Sequence, residues 1–270
     1  MAQEVIKDIL FDYYKWPEDD FSRSMPGIAF DSDNVIEHLK GFFKSLEEVE
    51  DDYYVFDLDE KKLKELSPRA KTKALKHTER VFAYELYHQW SGRICKPDGW
   101  MINAELFKHL IWFYPQKTNE TEAKISDQSY PDMVLHRGQQ KDDQMIVCEI
   151  KRDYRVKKDI VDDLIRLYRF TRRDNQQNSF RAYHCGIFLA VNAKMKAITD
   201  NIIYHYYELE KTMDFNSVDN IICIASNVNT IVFQSLGEIV RQLKRQGFLA
   251  KSPIPQLKGQ PKKRNQAKSK

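Results

Sequence analysis

Asp132, Glu149 and Lys151 stand at the ends of two short apolar runs, Met133–Leu135 and Met145–Cys148, that flank a polar loop. Side chains alternate faces along a strand, so Glu149 and Lys151 share one face and Ile150 takes the other. Sixteen residues separate Asp132 from Glu149, and the Arg137–Asp143 loop can turn the chain back between them. In an antiparallel pair the start of the first strand lies beside the end of the second. Asp132 then meets Glu149 and Lys151, and two carboxylates and an ammonium share one small site. Facing carboxylates repel, and one takes up a proton unless a cation intervenes. Hard oxygen donors suit Mg2+ or Mn2+. Such an ion polarises a phosphoryl oxygen and acidifies a water. The lysine can orient that water or stabilise the charge growing on phosphorus. Together these are the parts needed for phosphodiester hydrolysis. Pro131 fixes the backbone just before Asp132. The plainer alternative is an ordinary hairpin with charged ends, since Glu-x-Lys alone is a common surface pair. Cys148 and Ile150 argue against it, because they make the second strand read as buried.

The run "YPD…CEIK" resembles the PD-(D/E)XK nuclease superfamily, whose fold is called restriction-endonuclease-like. The likeness spans about residues 67–195. "PDMVLHRG" is also similar to the second core strand of a subset of uncharacterised bacterial members. The resemblance implies a metal-dependent nuclease with Asp132, Glu149 and Lys151 as catalytic residues. It implies Mg2+ or Mn2+ held by Asp132, Glu149 and the intervening Ile150, which can ligate only through its carbonyl. Many members add a glutamate from the helix before the sheet, and the segment 68–90 offers Glu79 and Glu85. At about 100° per residue, Glu79 falls inside the stripe of Leu75, Phe82, Leu86 and Trp90, and Glu85 at its margin. A glutamate on a buried face is costly without a partner, so Glu79 is the expected fourth acid and Glu85 the reserve. Glu105 resembles an acid on the first core strand of the bacterial members, with a secondary role as a metal-shell acid or a sheet ion pair. His136 lies four residues past Asp132, on the same face, and reads as a partly exposed histidine or a phosphate contact. Arg166 reads as part of a solvated helix face, with a contact to a DNA backbone as the sharper alternative.

These residues need a scaffold, and the periodicity supplies one. Helices are expected over residues 4–15 and in "SDNVIEHLKGFFKSLEEVE", where Val35, Leu39, Phe42, Phe43 and Leu46 fall on one side. Ser67 can cap the next helix, with Pro68 in its first turn. "GWMINAELFKHLIWFY" has β character, and the strand pair around the loop follows. "KKDIVDDLIRLYRFT" reads as an amphipathic helix, "HCGIFLAV" as a buried strand and "AKMKAITDNIIYHYYELEK" as one helix. "NIICIAS" and "NTIVFQS" read as a hairpin, and "LGEIVRQLKRQ" as a last helix. The expected class is α/β, a mixed central sheet flanked by helices on both faces, restriction-endonuclease-like, with a helical acidic N-terminal region. The expected units are residues 1–66 as the acidic N-terminal region, 67–250 as the nuclease-like domain and 251–270 as a basic disordered tail.

Composition narrows the partners. Net charge is +3. Residues 1–66 carry 8 Lys/Arg against 18 Asp/Glu, whereas 251–270 carry seven cations and no acid. An acidic front and a basic remainder point the remainder at a polyanion. Nucleic acid, DNA above all, is the expected partner, and the N-terminal region is a candidate surface for a protein partner or a homodimer. No apolar run reaches the roughly 18–20 residues of a membrane span, and the N-terminus lacks a signal-peptide pattern. A cytoplasmic protein without membrane partners is expected. Cys95, Cys148, Cys185 and Cys223 have no paired spacing and read as buried thiols rather than a zinc site. A nucleic-acid-binding or assembly protein that keeps the fold without cleaving is the alternative function. The simultaneous presence of Asp, Glu and Lys favours the enzyme. A pure protein-interaction module would leave the motif unexplained.

Overall fold

The computed structural model describes residues 14–15, 33–54, 65–94, 99–104, 131–137, 144–152, 157–172 and 183–249. Glu105, Cys95, most of the expected first helix and the basic segment 251–270 lie outside these residues. The elements in chain order are β1 (Tyr14–Lys15), α1 (Asp33–Glu47), α2 (Asp51–Tyr54), α3 (Pro68–Ser91), β2 (Trp100–Ala104), β3 (Met133–Arg137) and β4 (Gln144–Arg152). They continue with α4 (Lys157–Thr171), β5 (Cys185–Val191), α5 (Met195–Tyr204), α6 (Tyr206–Thr212), β6 (Ile221–Asn227), β7 (Thr230–Ser235) and α7 (Leu236–Arg245). No helix among them is long and apolar enough to cross a membrane.

One mixed sheet of seven strands, in the order β1-β7-β6-β5-β4-β3-β2, organises the molecule. β2, β3 and β4 form the expected antiparallel meander. β4, β5 and β6 run parallel, and β6 returns to β7 through a two-residue hairpin turn at Val228–Asn229. The central strands are covered on both faces, so they read as near-continuous apolar runs: every residue of β5, "CGIFLAV", is buried. β4 is where the sheet changes from antiparallel to parallel pairing.

Each face of the sheet has its own apolar layer. On one, Ile146, Cys148 and Ile150 of β4 pack with Phe42 and Phe43 of α1 and with Phe82, Leu86 and Trp90 of α3. On the other, Val147 packs with Leu164 and Leu167 of α4 and with residues of α5, α6 and α7. α1 therefore buries its apolar stripe in the same core as the sheet. α3 begins as its sequence dictates. Ser67 accepts from the Ala70 N–H at 3.3 Å, and Pro68 takes a first-turn position where no N–H is needed. Ser235 does the same for α7, accepting from the Glu238 N–H at 3.1 Å.

Two expectations give way. Tyr14 and Lys15 do not end a helix: they form a strand against Phe233 and Val232 of β7. The unpaired edge of β7 offers backbone partners that outweigh a weak helical periodicity. The helix expected across 193–211 is two helices, because His205 leaves helical geometry at φ −106° and ψ 15°. Cys148, Cys185 and Cys223 are buried free thiols, as their spacing implies.

Candidate functional site

The strand pair brings Asp132 and Glu149 together. Met133 pairs with Cys148, so the register carried back one residue sets Asp132 beside Glu149. Two hydrogen bonds fix Asp132 there. Its N–H donates to the Cys148 carbonyl at 3.0 Å, and its Oδ2 accepts from the Ile150 N–H at 2.7 Å. The Ile150 side chain is fully buried on the opposite face. Its carbonyl leaves the strand on the same side as its N–H, toward Asp132, and accepts from Lys151 Nζ at 3.3 Å.

α4 and, through Glu79, α3 supply the rest of the shell. Arg166 lays its guanidinium on Glu149, with Nε donating to Oε1 at 2.9 Å and Nη2 to Oε2 at 3.4 Å. The same Nη2 pairs with Asp163 Oδ1. Lys151 Nζ lies 3.3 Å from Asp163 Oδ2 and 3.4 Å from Glu79 Oε1. The contact to Asp163 is an ion pair without hydrogen-bond geometry, since buried Oδ2 accepts no hydrogen bond. Four carboxylates and two cations thus share the end of β4, and the side chains of Glu149 and Asp163 are each only 1% exposed. Buried charges of this kind persist only when paired.

The charges act on one another. Burial, reinforced by the nearby charge of Asp132, pushes the Glu149 carboxyl up to about 8 against the pull of Arg166 and Lys151. Burial also raises Glu79, with Lys151 opposing it. Burial alone would lower the Lys151 ammonium, but Glu79, Asp132 and Glu149 outweigh it and hold the group above its ordinary value. These are the shifts expected where several carboxylates share a site and are not fully compensated.

The sequence-expected residues divide cleanly. Asp132, Glu149, Ile150, Lys151 and Glu79 converge. Glu85 does not: it accepts from Gln89 at 2.6 Å and faces His88. His136 is not partly exposed but buried, its Nε2 2.8 Å from the Asn103 amide across the β2–β3 pair. A bulge between Leu135 and His136 shifts the register there. Arg166 is not on a solvated helix face but half-buried on Glu149. Asp163 was not singled out by the sequence, yet its signal was present. It sits among Ile160, Leu164 and Leu167 on the apolar stripe of α4, as Glu79 sits among Phe82, Leu86 and Trp90 on α3. An acid inside an apolar stripe needs a partner in both helices.

Among the described residues no three His, Cys, Asp or Glu side chains are arranged as a metal cage. The expected set is smaller, two carboxylates and one carbonyl. In chemistry that set fits a hard divalent ion, because its donors are all oxygen and Asp132 and Glu149 face one another across the strand pair. Comparison with family models, with curated proteins and with solved structures gave no match.

Proposed function

We propose that this chain is a metal-dependent nuclease of the PD-(D/E)XK type that hydrolyses phosphodiester bonds in nucleic acid, with DNA as the substrate class. The observation that carries the reading is the convergence of Asp132, Glu149 and Lys151 at the end of the β3–β4 pair, with Glu79 reaching the same lysine. The meander, the helix α4 and the parallel strand β5 follow in the order that the resemblance implies. Asp132, Glu149 and the Ile150 carbonyl would hold Mg2+ or Mn2+. The bound ion supplies a Lewis acid for a phosphoryl oxygen and a lowered pKa for an attacking water. Asp132 is preorganised for its part by the Ile150 N–H, which fixes one oxygen. Lys151 is held by Glu79 and Asp163 at the mouth of the site, where it can orient the water and offset charge developing on the phosphate. The raised Lys151 value keeps it a cation throughout the neutral range.

A second reading has one observation in its favour. The Arg166 fork already neutralises Glu149, as it would in a nucleic-acid-binding or assembly protein whose ion pairs only hold the sheet. One experiment separates the two. Purified protein is incubated with Mg2+ or Mn2+ on supercoiled plasmid, linear DNA and RNA. Nicking that needs the ion, and that Asp132→Asn abolishes, supports the nuclease. Salt-sensitive binding without cleavage under every condition selects the binding protein.

A further inference from the structure

Arg166 and the divalent ion of the proposed nuclease have a claim on the same carboxylate. Glu149 is almost fully buried, and both its oxygens receive the guanidinium, at 2.9 and 3.4 Å. An ion held by Asp132 and Glu149 would need at least one of those oxygens. The guanidinium has a second anchor in Asp163, one turn back on the same helix. Asp163 can keep it beside the site when Glu149 is taken. The other oxygen of Asp163 is ion-paired with Lys151 at 3.3 Å, so this one carboxylate anchors both cations beside the site. Arg166 itself is 24% exposed, and its fork geometry matches phosphate as well as carboxylate.

Resting on the nuclease reading, we propose that Arg166 is an exchangeable counter-ion. When Asp132 and Glu149 hold a divalent ion, the guanidinium would leave Glu149. Asp163 retains it, and it becomes a donor to a phosphate of the substrate strand. The order of binding is then built in. The ion comes first, and the arginine is released to the nucleic acid only afterwards. Asp163 is a positioning residue in this scheme, since it acts through Arg166 and Lys151.

The experiment follows the Nε–H signal of Arg166 by 15N NMR of the full chain, assigned by its loss in Arg166→Lys. Mg2+ is titrated in while calorimetry reports binding. The expected result is a shift of the Arg166 signal with the same midpoint as the heat of binding. A second shift is expected when a short DNA duplex is added in Ca2+, used to suppress turnover. Arg166→Lys replaces a two-bond fork by a point charge, so it should bind Mg2+ several-fold more tightly while binding the duplex less tightly. Mg2+ binding with an unmoved Arg166 signal overturns the exchange and leaves the nuclease reading standing. Absence of the second shift overturns the phosphate role. A wild-type protein that binds no divalent ion overturns the exchange and the nuclease reading together.

Discussion

Two cations end strand β4 side by side, and they are used in opposite ways. Lys151 faces α4, and its partners are the carboxylates of Asp163 and Glu79. Arg152 faces the helices of the other layer, and its guanidinium donates to two backbone carbonyls: Tyr54 at the end of α2, at 2.6 Å, and Thr78 in α3, at 3.3 Å. Asn192, after β5, donates its side-chain amide to the same Tyr54 carbonyl. The Arg152 end is a clasp that ties two helices to the sheet, through the orphan carbonyl at the end of α2 and a carbonyl in the middle of α3. The Lys151 end is a set of charges whose stability depends on one another and on protons. A cation among carbonyls is explained by the fold, whereas a cation among more carboxylates than it can neutralise needs a further reason. On the proposed reading, that contrast sets the reacting charges around Lys151 and the architectural bonds around Arg152.

Exchanging the two cations one at a time breaks the comparison if it is wrong. Lys151→Ala should lower cleavage by at least about 100-fold, the scale of losing one preorganised charge, with a smaller loss of stability than Arg152→Ala because Arg166 still pairs Asp163. Arg152→Ala should do the reverse. Its loss should cost about 1.5–3 kcal/mol of stability, as for a hydrogen bond to a charged group, with cleavage per folded molecule within a few-fold of wild type. Plasmid nicking and urea unfolding of the two variants decide the matter. Equal loss of activity in both, or a large stability loss only in Lys151→Ala, would erase the distinction.

A smaller effect tests which helix acid belongs to the charged end. Glu79 reaches Lys151, whereas Glu85 is occupied with Gln89 and His88. Glu79→Gln should cut activity by about 10–100-fold, the range for residues that orient a site from behind. Glu85→Gln should leave it unchanged. The reverse outcome in a nicking assay would remove Glu79 from the site and make its contact with Lys151 structural.

This part of the site was legible because helical phase is local: Glu79, Phe82, Leu86 and Trp90 are placed by residue spacing alone. The strand pair was legible for a similar reason, since alternation and a short loop bring Asp132 to Glu149. Arg152 was not legible, because its partners are carbonyls from segments about 74 and 98 residues earlier. Backbone acceptors leave no mark in a sequence. Arg166 was misread for a related reason. On its own helix it falls outside the apolar stripe of Ile160, Leu164 and Leu167, and only the docking of α4 on β4 brings it to Glu149. Asp163 could have been found by the stripe argument that found Glu79.

The last test sharpens the contrast without using activity. The Glu149 carboxyl is raised from an ordinary 4.5 to about 8, chiefly by burial. A raised acid binds more protons folded than unfolded, so its contribution is fully present below about 4.5 and is lost as pH climbs through about 8. Glu79 is raised as well and acts in the same direction. Lys151 is a base raised above its ordinary 10.5, so its contribution is constant at neutral pH and is lost only above that value. In EDTA, stability from urea unfolding should therefore fall between pH 5 and pH 8, with a slope of at most about 1.4 kcal/mol per pH unit for each proton involved. Glu149→Gln should flatten most of that slope, leaving the part due to Glu79. Arg152→Ala should lower the whole curve without changing its slope, because the carbonyls of Tyr54 and Thr78 do not titrate. A slope that persists unchanged in Glu149→Gln would place the pH-sensitive charge elsewhere in the molecule. A slope that changes in Arg152→Ala would mean that the two ends of β4 are one electrostatic unit, and the division between clasp and site would fail.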